Sequence, residues 1–552
     1  MVDKIESFSK FFLYFLYPQD DRVKFPALII VTLACVIFSL FFYKKKKEFS
    51  TRAFKFLALG IILFSILLKF FALNEHYIGH NSFRQTQTLT VARNYYEDNM
   101  DITDPQLDFI FSDQEEYIGE VDGFELNILP YMLAAISKVT GWTNIVPRLL
   151  IISFSTLGTI AMLIISRRLF SRPVALASTF LFSVLPLTVY YGQAFMPDFP
   201  SISLMLSSIA FLIIRDKYKN YYRLFMILSL VALILGVLIK LQHVFFVPVV
   251  FFFLINKRIE FKLPFKAKEF LQEVMAKDIL KKFVFFILGP VIIVLGYYVF
   301  DYKIDPSYKY PHGNLIDPLL FLRGTNRNGI NFYEMSLGYI HYVAISIIGF
   351  LLFIIGISSK LKGDIKLKKI TNAFIYIWII TIVAFYVVFS GGAIINLYYM
   401  IFALPILVLG IGYFFELLKK NNLFYIVPIF IIIVVSGTSD YTRGWLFNLT
   451  ERFDAVVLGN LIQENTNDDE SIIVVDYVTY EPTNLYHTNR KGWVVGEGEL
   501  SIINIEEYKK KGAAGVGISA RFIAGIRNNE ELYGYLFTLR NVSYQDNYFF
   551  FL

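Results

Sequence analysis

Disulfides and metal-ligand motifs are missing from this sequence of 552 residues. Its one cysteine, Cys35, lies in an apolar run and excludes an intramolecular disulfide. The six histidines lack the short spacings of metal-binding motifs, and no glycine-rich phosphate loop is present. We therefore expect neither a metal nor another cofactor. Charged residues make up only 18% of the chain, which is low for a soluble protein.

Apolar side chains are in excess. Hydrophobic residues make up 56% of the chain and aromatic residues 18%, more than a soluble protein of this size could bury. They form runs long enough to cross a bilayer, which takes roughly 20 residues per helix. The sequence therefore predicts a polytopic α-helical membrane protein. About twelve spans are expected, near residues 26–43, 54–73, 145–166, 174–192, 199–214, 223–239, 241–256, 283–300, 337–357, 372–390, 395–416 and 423–437.

Basic residues divide the connecting loops into two sets. The basic set comprises Lys44 to Lys47, Arg167-Arg168, Arg215 to Lys219, residues 257–282, Lys360 to Lys369 and Lys419-Lys420. By the positive-inside rule this set is cytoplasmic. The opposite, extracytoplasmic set comprises the loops 74–144, 193–198, 301–336 and 391–394 and the tail from residue 438. These loops account for the formal charge of +7 without a nucleic-acid partner.

The N-terminus is the weak point of this topology. The count places residues 1–25 outside, but they are nearly neutral, so the first span is alternatively interfacial or re-entrant. No cleavable signal peptide is expected, because the first apolar span begins late and lacks a small-residue cleavage site.

The tail after the last span changes in composition. Strands are predicted at 471–478, 492–495 and 514–519, helices at 504–511 and 528–538, and a final strand or hairpin at 541–552. Gly512 is expected to close the first of these helices. Because its strands are too short to span a membrane, the tail predicts a small extracytoplasmic α/β domain. The predicted domains are thus 1–437, including the external loop 74–144, and 438–552.

The external loop 74–144 carries ten acids, and most acids in such a loop are simply solvated. Two have unusual settings. Asp108 lies between Leu107 and Phe109, and apolar surroundings favour the protonated form of a carboxyl group. Glu125 opens the apolar stretch 126–133, which is too short to span and is expected to lie along the membrane surface. Both are candidate general bases.

Two further polar sites lie at external ends of spans. Asp198 lies between two prolines, where it either caps the following helix or belongs to a site. Lys240 separates two apolar spans, and a lysine near the bilayer centre costs roughly 2.5–3.5 kcal/mol. It either reaches the interface or meets an anion. Tyr398 and Tyr399 follow Asn396 on the same face, as part of a site or of an aromatic belt.

Together these segments place acids and cations on one face of the membrane. Arginine and lysine neutralise phosphate, while carboxylates deprotonate or hold hydroxyl groups. The pattern suits a lipid phosphate with a polar head group, bound by Arg84, Arg93 and Lys240.

The segment Phe83-Arg84-Gln85-Thr86-Gln87-Thr88 to Tyr96-Glu97 resembles the W-R-Q-A-D-T…A-R-N-F/Y-Y-E signature of bacterial integral-membrane glycosyltransferases. That superfamily, the C-type fold, includes protein O-mannosyltransferases and lipid A aminoarabinose transferases. Further similar segments follow in order: Pro105 to Phe109 (Y-P-x-V-D-W), Gly123-Phe124-Glu125 with Tyr131 (G-x-E-F-P-L-x-x-Y), Tyr191-Gly192-Gln193 with Pro197-Asp198 (Y-x-R/Q…P-D), Lys240, and Leu485 to Trp493 (L-Y-Y-x-x-R-K-G-W).

The resemblance implies a sugar donor on a polyprenyl phosphate, transfer on the outer face, and a carboxylate base on the first external loop. Two positions depart from the family pattern. Gln87 stands where the family has aspartate in R-Q-A-D-T, and Asn396-Leu397 stands where it often has histidine before the tyrosines. Gln87 cannot accept a catalytic proton, so an active enzyme would need another base.

We interpret the chain as an inverting, polyprenyl-phosphate-dependent glycosyltransferase of the inner membrane, acting on a lipid, glycan or protein acceptor. The predicted catalytic residues are Glu125, Asp108 and Asp198; the phosphate ligands are Arg84, Arg93 and Lys240; the supporting residues are Gln85, Gln87, Tyr398 and Tyr399. The alternatives are an inactive family member that binds polyprenyl lipid and a membrane transporter or flippase. A transporter would be expected to show related halves, and the sequence has none that are visible.

Overall fold

A computed structural model describes residues 2–16, 50–110, 126–255, 281–304, 334, 338–339, 344–361, 372–438, 446–479 and 481–552. The chain is mostly helical, with a small sheet domain at its C-terminus. The described helices of five residues or more are α1 (Val2–Leu16), α2 (Thr51–Leu68), α3 (Ser82–Glu97), α4 (Ile128–Thr140), α5 (Ile145–Leu169), α6 (Arg172–Val184), α7 (Pro186–Tyr191), α8 (Asp198–Lys217), α9 (Tyr222–Ile239), α10 (Val247–Ile255), α11 (Gly289–Ile304), α12 (Ser346–Leu361), α13 (Asn372–Val388), α14 (Ser390–Ile395), α15 (Leu404–Lys420), α16 (Val427–Gly437), α17 (Phe453–Gln463), α18 (Thr483–Thr488), α19 (Ile502–Lys510), α20 (Ile523–Arg527) and α21 (Glu530–Thr538). The strands are β1 (Ser471–Asp476), β2 (Gly492–Gly496), β3 (Ala513–Ile518), β4 (Asn541–Tyr544) and β5 (Asn547–Phe551).

The chain packs as two compact units. The first, the membrane unit, comprises Met1–Leu73 and Arg148–Trp445; the second, the external unit, comprises Asn74–Pro147 and Leu446–Leu552. The external unit is therefore discontinuous in sequence. Packing groups the loop around α3 and α4 with the tail, whereas the sequence analysis counts that loop with the membrane domain.

Four helical segments in the described residues are long and apolar enough to cross a membrane: Thr51–Ala72, Ile145–Leu169, Asp198–Lys217 and Lys219–Ile239. They coincide with four of the predicted spans. Several other predicted spans are shorter or interrupted helices here. The predicted span 174–192 is divided into α6 and α7 at Leu185, because Pro186 lacks the amide hydrogen that would continue α6. The first predicted span, 26–43, lies outside the described residues.

The sheet of the external unit has the strand order β2-β1-β3-β5-β4. β1 pairs in parallel with β2 and β3, and β5 pairs antiparallel with β3 and β4. Every residue of β1 is buried, as expected of a central strand covered on both faces. Alternate residues point to opposite faces, with Ile473 and Val475 in one apolar cluster and Ile472 and Val474 in another.

The external loop contributes to the second of these clusters. The members of this cluster outside the sheet come from α3 (Val91, Tyr95), residues 107 and 109, α4 (Ala134), α17 (Leu458, Leu461, Ile462) and α18 (Leu485). Helix α3, which carries the signature segment, therefore packs on the C-terminal sheet. This burial is the physical reason that the loop and the tail form one unit.

Residues 108–110 also extend the sheet at the edge of β2. The amide of Gly492 donates to the carbonyl of Asp108 at 3.0 Å, and the amide of Ile110 donates to the carbonyl of Gly492 at 2.8 Å. A Cβ atom on Gly492 would overlap the backbone carbonyl of Ile472 on β1. The glycine of the R-K-G-W segment thus permits close approach of two strands.

The elements predicted for the tail are confirmed. Strands form at Ser471–Asp476, Gly492–Gly496 and Ala513–Ile518, and the last segment is the hairpin of β4 and β5. Gly512 follows α19 with φ of +94°, in the left-handed region that glycine adopts without strain.

Candidate functional site

Asp198 and Lys240 meet at adjoining ends of two helices in the membrane unit. Asp198 is the first residue of α8, and Lys240 follows the last residue of α9, which packs against α8. Their side chains lie 3.6 Å apart, between Nζ and Oδ1, and both are buried. The buried contact with Lys240 accounts for the position of Asp198 at the start of α8. A buried ion pair is stable only with well-placed partners.

Tyr398 completes this cluster. The ammonium of Lys240 lies 5.6 Å from the centre of the Tyr398 ring, within cation–π range, and the ring of Tyr191 lies 6.3 Å from that of Tyr398. Both tyrosines come from segments that the sequence analysis singled out. The ring of the predicted partner Tyr399 lies 5.3 Å from that of Tyr398, and its backbone carbonyl accepts a hydrogen bond from the Tyr386 hydroxyl at 2.8 Å.

His243 holds the junction after Lys240. Its Nδ1 lies 2.8 Å from the hydroxyl of Ser201, and that hydroxyl donates to the carbonyl of Gly236 at 2.6 Å. Because the serine hydrogen is used on the carbonyl, Nδ1 must be the donor in the first bond. This chain of bonds ties the start of α8 to the end of α9, close to Asp198 and Lys240.

Two buried cations nearby were missed by the sequence analysis. The ammonium of Lys69 donates to the hydroxyl and carbonyl of Ser65 at 2.6 and 2.9 Å, and the side chain is 1% exposed. Arg148 donates to the side chain of Gln193. A Cβ on Gly192 would contact the Lys69 chain, so these residues adjoin. A lysine inside the apolar run 66–72 was the available signal.

In the external unit, Arg93 and Asp108 form a buried salt bridge. The guanidinium of Arg93 also donates to the carbonyl of Tyr486 at 3.1 Å and lies 4.9 Å from its ring centre. The other oxygen of Asp108 accepts from the side-chain amide of Asn94 at 3.2 Å. Asp108, predicted as a base, and Arg93, predicted as a phosphate ligand, are therefore partners of each other, and they join α3 to residues 106–108 and the tail.

Arg84 and Gln87 pair along one face of α3. Nη1 of Arg84 donates to Oε1 of Gln87 at 2.7 Å. The side-chain amide of Gln85 donates to the carbonyl of His80 at 3.1 Å, while its buried Oε1 has no partner among the described residues. The polar residues Arg84, Gln85 and Gln87 of the signature segment thus lie in the first turns of α3. Glu125, the first candidate for the base, lies outside the described residues.

A second ionic network in the external unit was also missed. Arg452 donates to both oxygens of Asp476 at 2.9 and 3.1 Å and to the side chain of Asn484 at 3.0 Å, and it lies 3.8 Å from Glu481. Burial raises the pKa of Asp476 to about 6 and that of Glu481 to about 7, against the attraction of Arg452. The signal was an acid at the carboxyl end of a buried strand, Val475-Asp476.

His80 and His487 of the external unit are uncharged at neutral pH. Burial lowers the pKa of His80 to about 4 and that of His487 to about 3. The rings of His76 and His487 lie 6.0 Å apart. In the part of the chain that the structure describes, no group of three or more His, Cys, Asp or Glu side chains could hold a metal ion.

The predicted site residues therefore fall into three contacting sets. Asp198, Lys240 and Tyr398 form one, in the membrane unit. Arg93 with Asp108, and Arg84 with Gln87, form the other two, in the external unit. Arg84 and Lys240 belong to different units, and their predicted convergence on one phosphate stays a prediction.

Comparison with known proteins gives a family match over part of the chain and a similar fold over most of it. The family model of dolichyl-phosphate-mannose-protein mannosyltransferases matches residues 128–268. No curated protein sequence matches the chain. The structure of ArnT from Cupriavidus metallidurans bound to undecaprenyl phosphate is similar, with a TM-score of 0.56 and 10% identity over 90% of this chain and 97% of that one. Its apo form gives a TM-score of 0.55 and 12% identity, covering 90% and 96%.

A more distant likeness is to the oligosaccharyltransferase of Archaeoglobus fulgidus in complex with Zn and sulfate. It has a TM-score of 0.50 and 12% identity, covering 84% of this chain and 68% of that one. At such low identity these structures establish the fold alone. The resemblance predicted from the signature segments is confirmed by the family match and by this shared fold.

Proposed function

We propose that this membrane protein is an inverting glycosyltransferase that moves a sugar from a polyprenyl-phosphate donor to an envelope acceptor on the outer face of the membrane. The observation that carries the proposal is the buried pair of Lys240 and Asp198 beside Tyr398, in a chain with the fold of ArnT. The ArnT structure contains undecaprenyl phosphate, and a family model of sugar transferases matches residues 128–268.

The donor phosphate is assigned to Lys240 and Arg84. The ammonium of Lys240 is held between a carboxylate and an aromatic ring, so it is oriented before a ligand arrives. A phosphate leaving group departs as a weakly basic anion, and fixed cations can stabilise it without a general acid. Arg93 is the third proposed ligand. To bind phosphate it would have to release Asp108, its present partner.

The base is assigned to a carboxylate of the external loop, Glu125 first and Asp108 second. Loss of Asp108 from its salt bridge would leave Arg93 buried without its anion, which weighs against Asp108 as a mobile base. Asp198 would position the sugar or the acceptor hydroxyl. Gln85, Gln87, Tyr398 and Tyr399 are proposed as supporting residues.

The proposed topology has about twelve spans in the inner membrane, with the external unit and the active site on the extracytoplasmic side. It rests on the basic loops of the opposite set. The acceptor is proposed as a lipid, glycan or protein, with membrane lipids as surroundings and no nucleic-acid partner.

The proposal is tested in two steps. Native mass spectrometry of the full-length protein with undecaprenyl phosphate should show one bound lipid. Mass spectrometry of envelope glycans from a deletion strain should then show loss of one sugar, restored by the wild-type chain. If the glycans are unchanged and the protein does not bind the lipid, the proposal is wrong.

A second candidate is a catalytically inactive relative that binds polyprenyl lipid. Gln87 favours it, because glutamine stands where the family carries aspartate and accepts a hydrogen bond from Arg84 instead of a proton. Lipid binding with unchanged envelope glycans in the deletion strain would support this alternative over the enzyme.

A further inference from the structure

Glu481 occupies an unusual place in the external unit. It lies between β1 and α18, is buried, and accepts a hydrogen bond from the hydroxyl of Thr483. Nη1 of Arg452 lies 3.8 Å from Oε1 of Glu481, beyond hydrogen-bond distance, while Nη2 donates to Asp476 and Asn484. The carboxyl of Glu481 is thus only partly compensated by a cation.

Thr483 connects this carboxyl to the signature helix. Its hydroxyl lies 3.4 Å from the hydroxyl of Ser82 and 3.5 Å from that of Thr86, both in the first turns of α3. Thr86 donates its own hydrogen to the carbonyl of Ser82 at 2.9 Å. The residues that flank Thr86 in this turn include Arg84 and Gln87. A single hydroxyl therefore separates Glu481 from the helix that carries the proposed phosphate ligand.

The direction of this chain of hydroxyls depends on the state of Glu481. A threonine hydroxyl has one hydrogen to donate. When Glu481 is ionised, Thr483 gives that hydrogen to the carboxylate, and Ser82 can donate to Thr483. When Glu481 is protonated, it donates to Thr483, and the threonine hydrogen becomes available to Ser82. One proton thus reverses the hydrogen bonds at the start of α3.

A backbone contact fixes the other side of the same region. The amide of Arg452 donates to the carbonyl of Ile78 at 3.0 Å, four residues before α3 begins. Because the Arg452 side chain is held by Asp476 and Asn484, the segment that enters α3 is anchored to the end of β1. The tail therefore contacts the start of α3 and the segment before it at two points. Only the contact through Thr483 depends on the protonation of Glu481.

We propose that Glu481 is a positioning residue that, through Thr483, sets the alignment of the first turns of α3 and with it the orientation of Arg84 and Gln87. The consequence for lipid binding rests on the proposed function; the effect on α3 does not.

The charged groups that act on Glu481 place its titration near neutral pH. Burial raises its pKa to about 7, and the charge of Asp476 adds to this, while the hydrogen bond from Thr483 and the attraction of Arg452 oppose it. On the facing side, Ser82, Thr86 and Thr483 carry only hydroxyl groups.

The first experiment is hydrogen exchange of the α3 amides in the full-length protein, between about pH 6 and about pH 8.5, corrected for intrinsic exchange. Wild type should change protection by about fivefold, the factor that corresponds to one hydrogen bond of ~1 kcal/mol. Glu481→Gln should abolish this dependence, because its amide cannot ionise. Glu464→Gln, an exposed glutamate on the same domain, is the matched control and should behave as wild type.

Thr483 provides the second pair of variants. Thr483→Val deletes the hydroxyl while keeping the shape, and should also remove the pH dependence of α3. Thr483→Ser keeps the hydroxyl and should retain it. If wild type, Glu481→Gln and Thr483→Val show the same α3 exchange at all pH values, the proposal is wrong. If one of the two variants folds poorly, the comparison of wild type with the other variant decides.

Binding of undecaprenyl phosphate separates this inference from the proposed function. Its affinity in wild type should shift with a midpoint near the pKa of Glu481, about 7, and Glu481→Gln should lose the midpoint. If no variant binds the lipid but α3 exchange still follows pH, the positioning role stands and the proposed function fails. If binding occurs with no pH midpoint and α3 exchange is flat, the proposed function stands and the positioning role fails.

Discussion

Nη1 of Arg84 donates a 2.7 Å hydrogen bond to Oε1 of Gln87, three residues further along α3. The segments that this chain resembles carry aspartate at position 87, where the same contact would be a salt bridge. Here the acceptor is neutral, so this contact does not offset the positive charge of Arg84. Under the proposed function, the exchange of aspartate for glutamine removes both a carboxylate that would compete with the lipid phosphate for Arg84 and a candidate base.

Replacing Gln87 distinguishes an enzyme with a different base from an inactive relative. If Glu125 is the base, Gln87→Asp should change transfer less than about tenfold, because loss or gain of a general base is worth about 10²–10⁴ in rate. It should also weaken binding of undecaprenyl phosphate, since the new carboxylate competes for Arg84. The sugar-transfer rate of the purified protein measures the first effect, and native mass spectrometry with undecaprenyl phosphate measures the second. A gain of activity from zero would instead identify the natural chain as inactive.

Lys240 and Asp198 should be separable by paired substitution. Lys240→Ala should weaken undecaprenyl phosphate binding by at least about tenfold, the loss of one charged hydrogen bond. It should also destabilise the fold, because Asp198 is then buried without its cation. The double variant Asp198→Asn with Lys240→Gln removes both charges and should recover stability without recovering binding.

Thermal unfolding and native mass spectrometry read out the two effects. Lys217→Ala, an exposed lysine at the opposite end of α8, is the control and should alter neither. Wild-type affinity in the double variant would exclude Lys240 from the phosphate site.

Glu125 and Asp108 are expected to differ in what their loss does. Glu125→Gln should remove nearly all transfer, by about 10²–10⁴-fold, and leave lipid binding intact. Asp108→Asn should lower the stability of the external unit, because Arg93 loses its buried partner. Rates should be measured together with melting curves, with Asp104→Asn, an exposed acid of the same loop, as control. Near-normal turnover in both variants would place the base elsewhere.

The external loop and the tail should label from the same side of the membrane. The single natural cysteine allows a clean background, Cys35→Ser, into which Glu115→Cys or Lys510→Cys is introduced. Both should react with an impermeant maleimide in spheroplasts, while Lys366→Cys, in a basic loop, should react only after lysis. Labelling of positions 115 and 510 from opposite faces would contradict the topology.

The stability of the external unit should depend on pH through Glu481. A folded-state pKa of about 7 lies above the ordinary value of 4.5, so the folded state holds the proton more tightly and gains stability below pH 4.5. This gain is lost as pH rises through 7. His80 and His487, with lowered pKa values, act in the opposite direction below their ordinary pKa of 6.5, so absolute melting curves mix the two effects.

The difference between two proteins isolates the glutamate. The melting temperature of Glu481→Gln minus that of wild type should rise from about pH 5.5 to about pH 8.5, by roughly 2–4 °C for each kcal/mol. Glu464→Gln should show a constant difference. A flat difference for Glu481→Gln as well would show that its carboxyl does not titrate in this range.

Local pattern was enough to predict the elements of the tail, but not the pairing of side chains. The strands and helices of the tail follow from apolar runs, and Gly512 from its position after a helix. Asp198 meets Lys240 because two helices pack with these two ends side by side. The two residues are 42 positions apart, and that separation alone does not predict the contact. Asp108 was assigned from its apolar neighbours, and nothing in the pattern around it indicates that Arg93 is its partner.

Glu481 was overlooked for a related reason. Next to Pro482 in a connecting segment, it reads as a solvated acid, whereas the fold buries it between the sheet and α3. Whether a polar group in a connecting segment is buried depends on what packs over it. Here the neighbouring segment is distant in sequence, since Thr483 contacts Ser82, 401 positions earlier.

The discontinuity of the external unit has a consequence for biosynthesis. In the proposed topology, residues 74–147 reach the far side of the membrane long before residues 446–552 are made. With about 5–20 residues added per second, the missing partner arrives after roughly 15–60 s. Until then Val91, Tyr95 and Leu107 have no sheet to cover them. During synthesis the loop thus exposes apolar side chains, and chaperones on that face of the membrane would bind it before the native sheet forms.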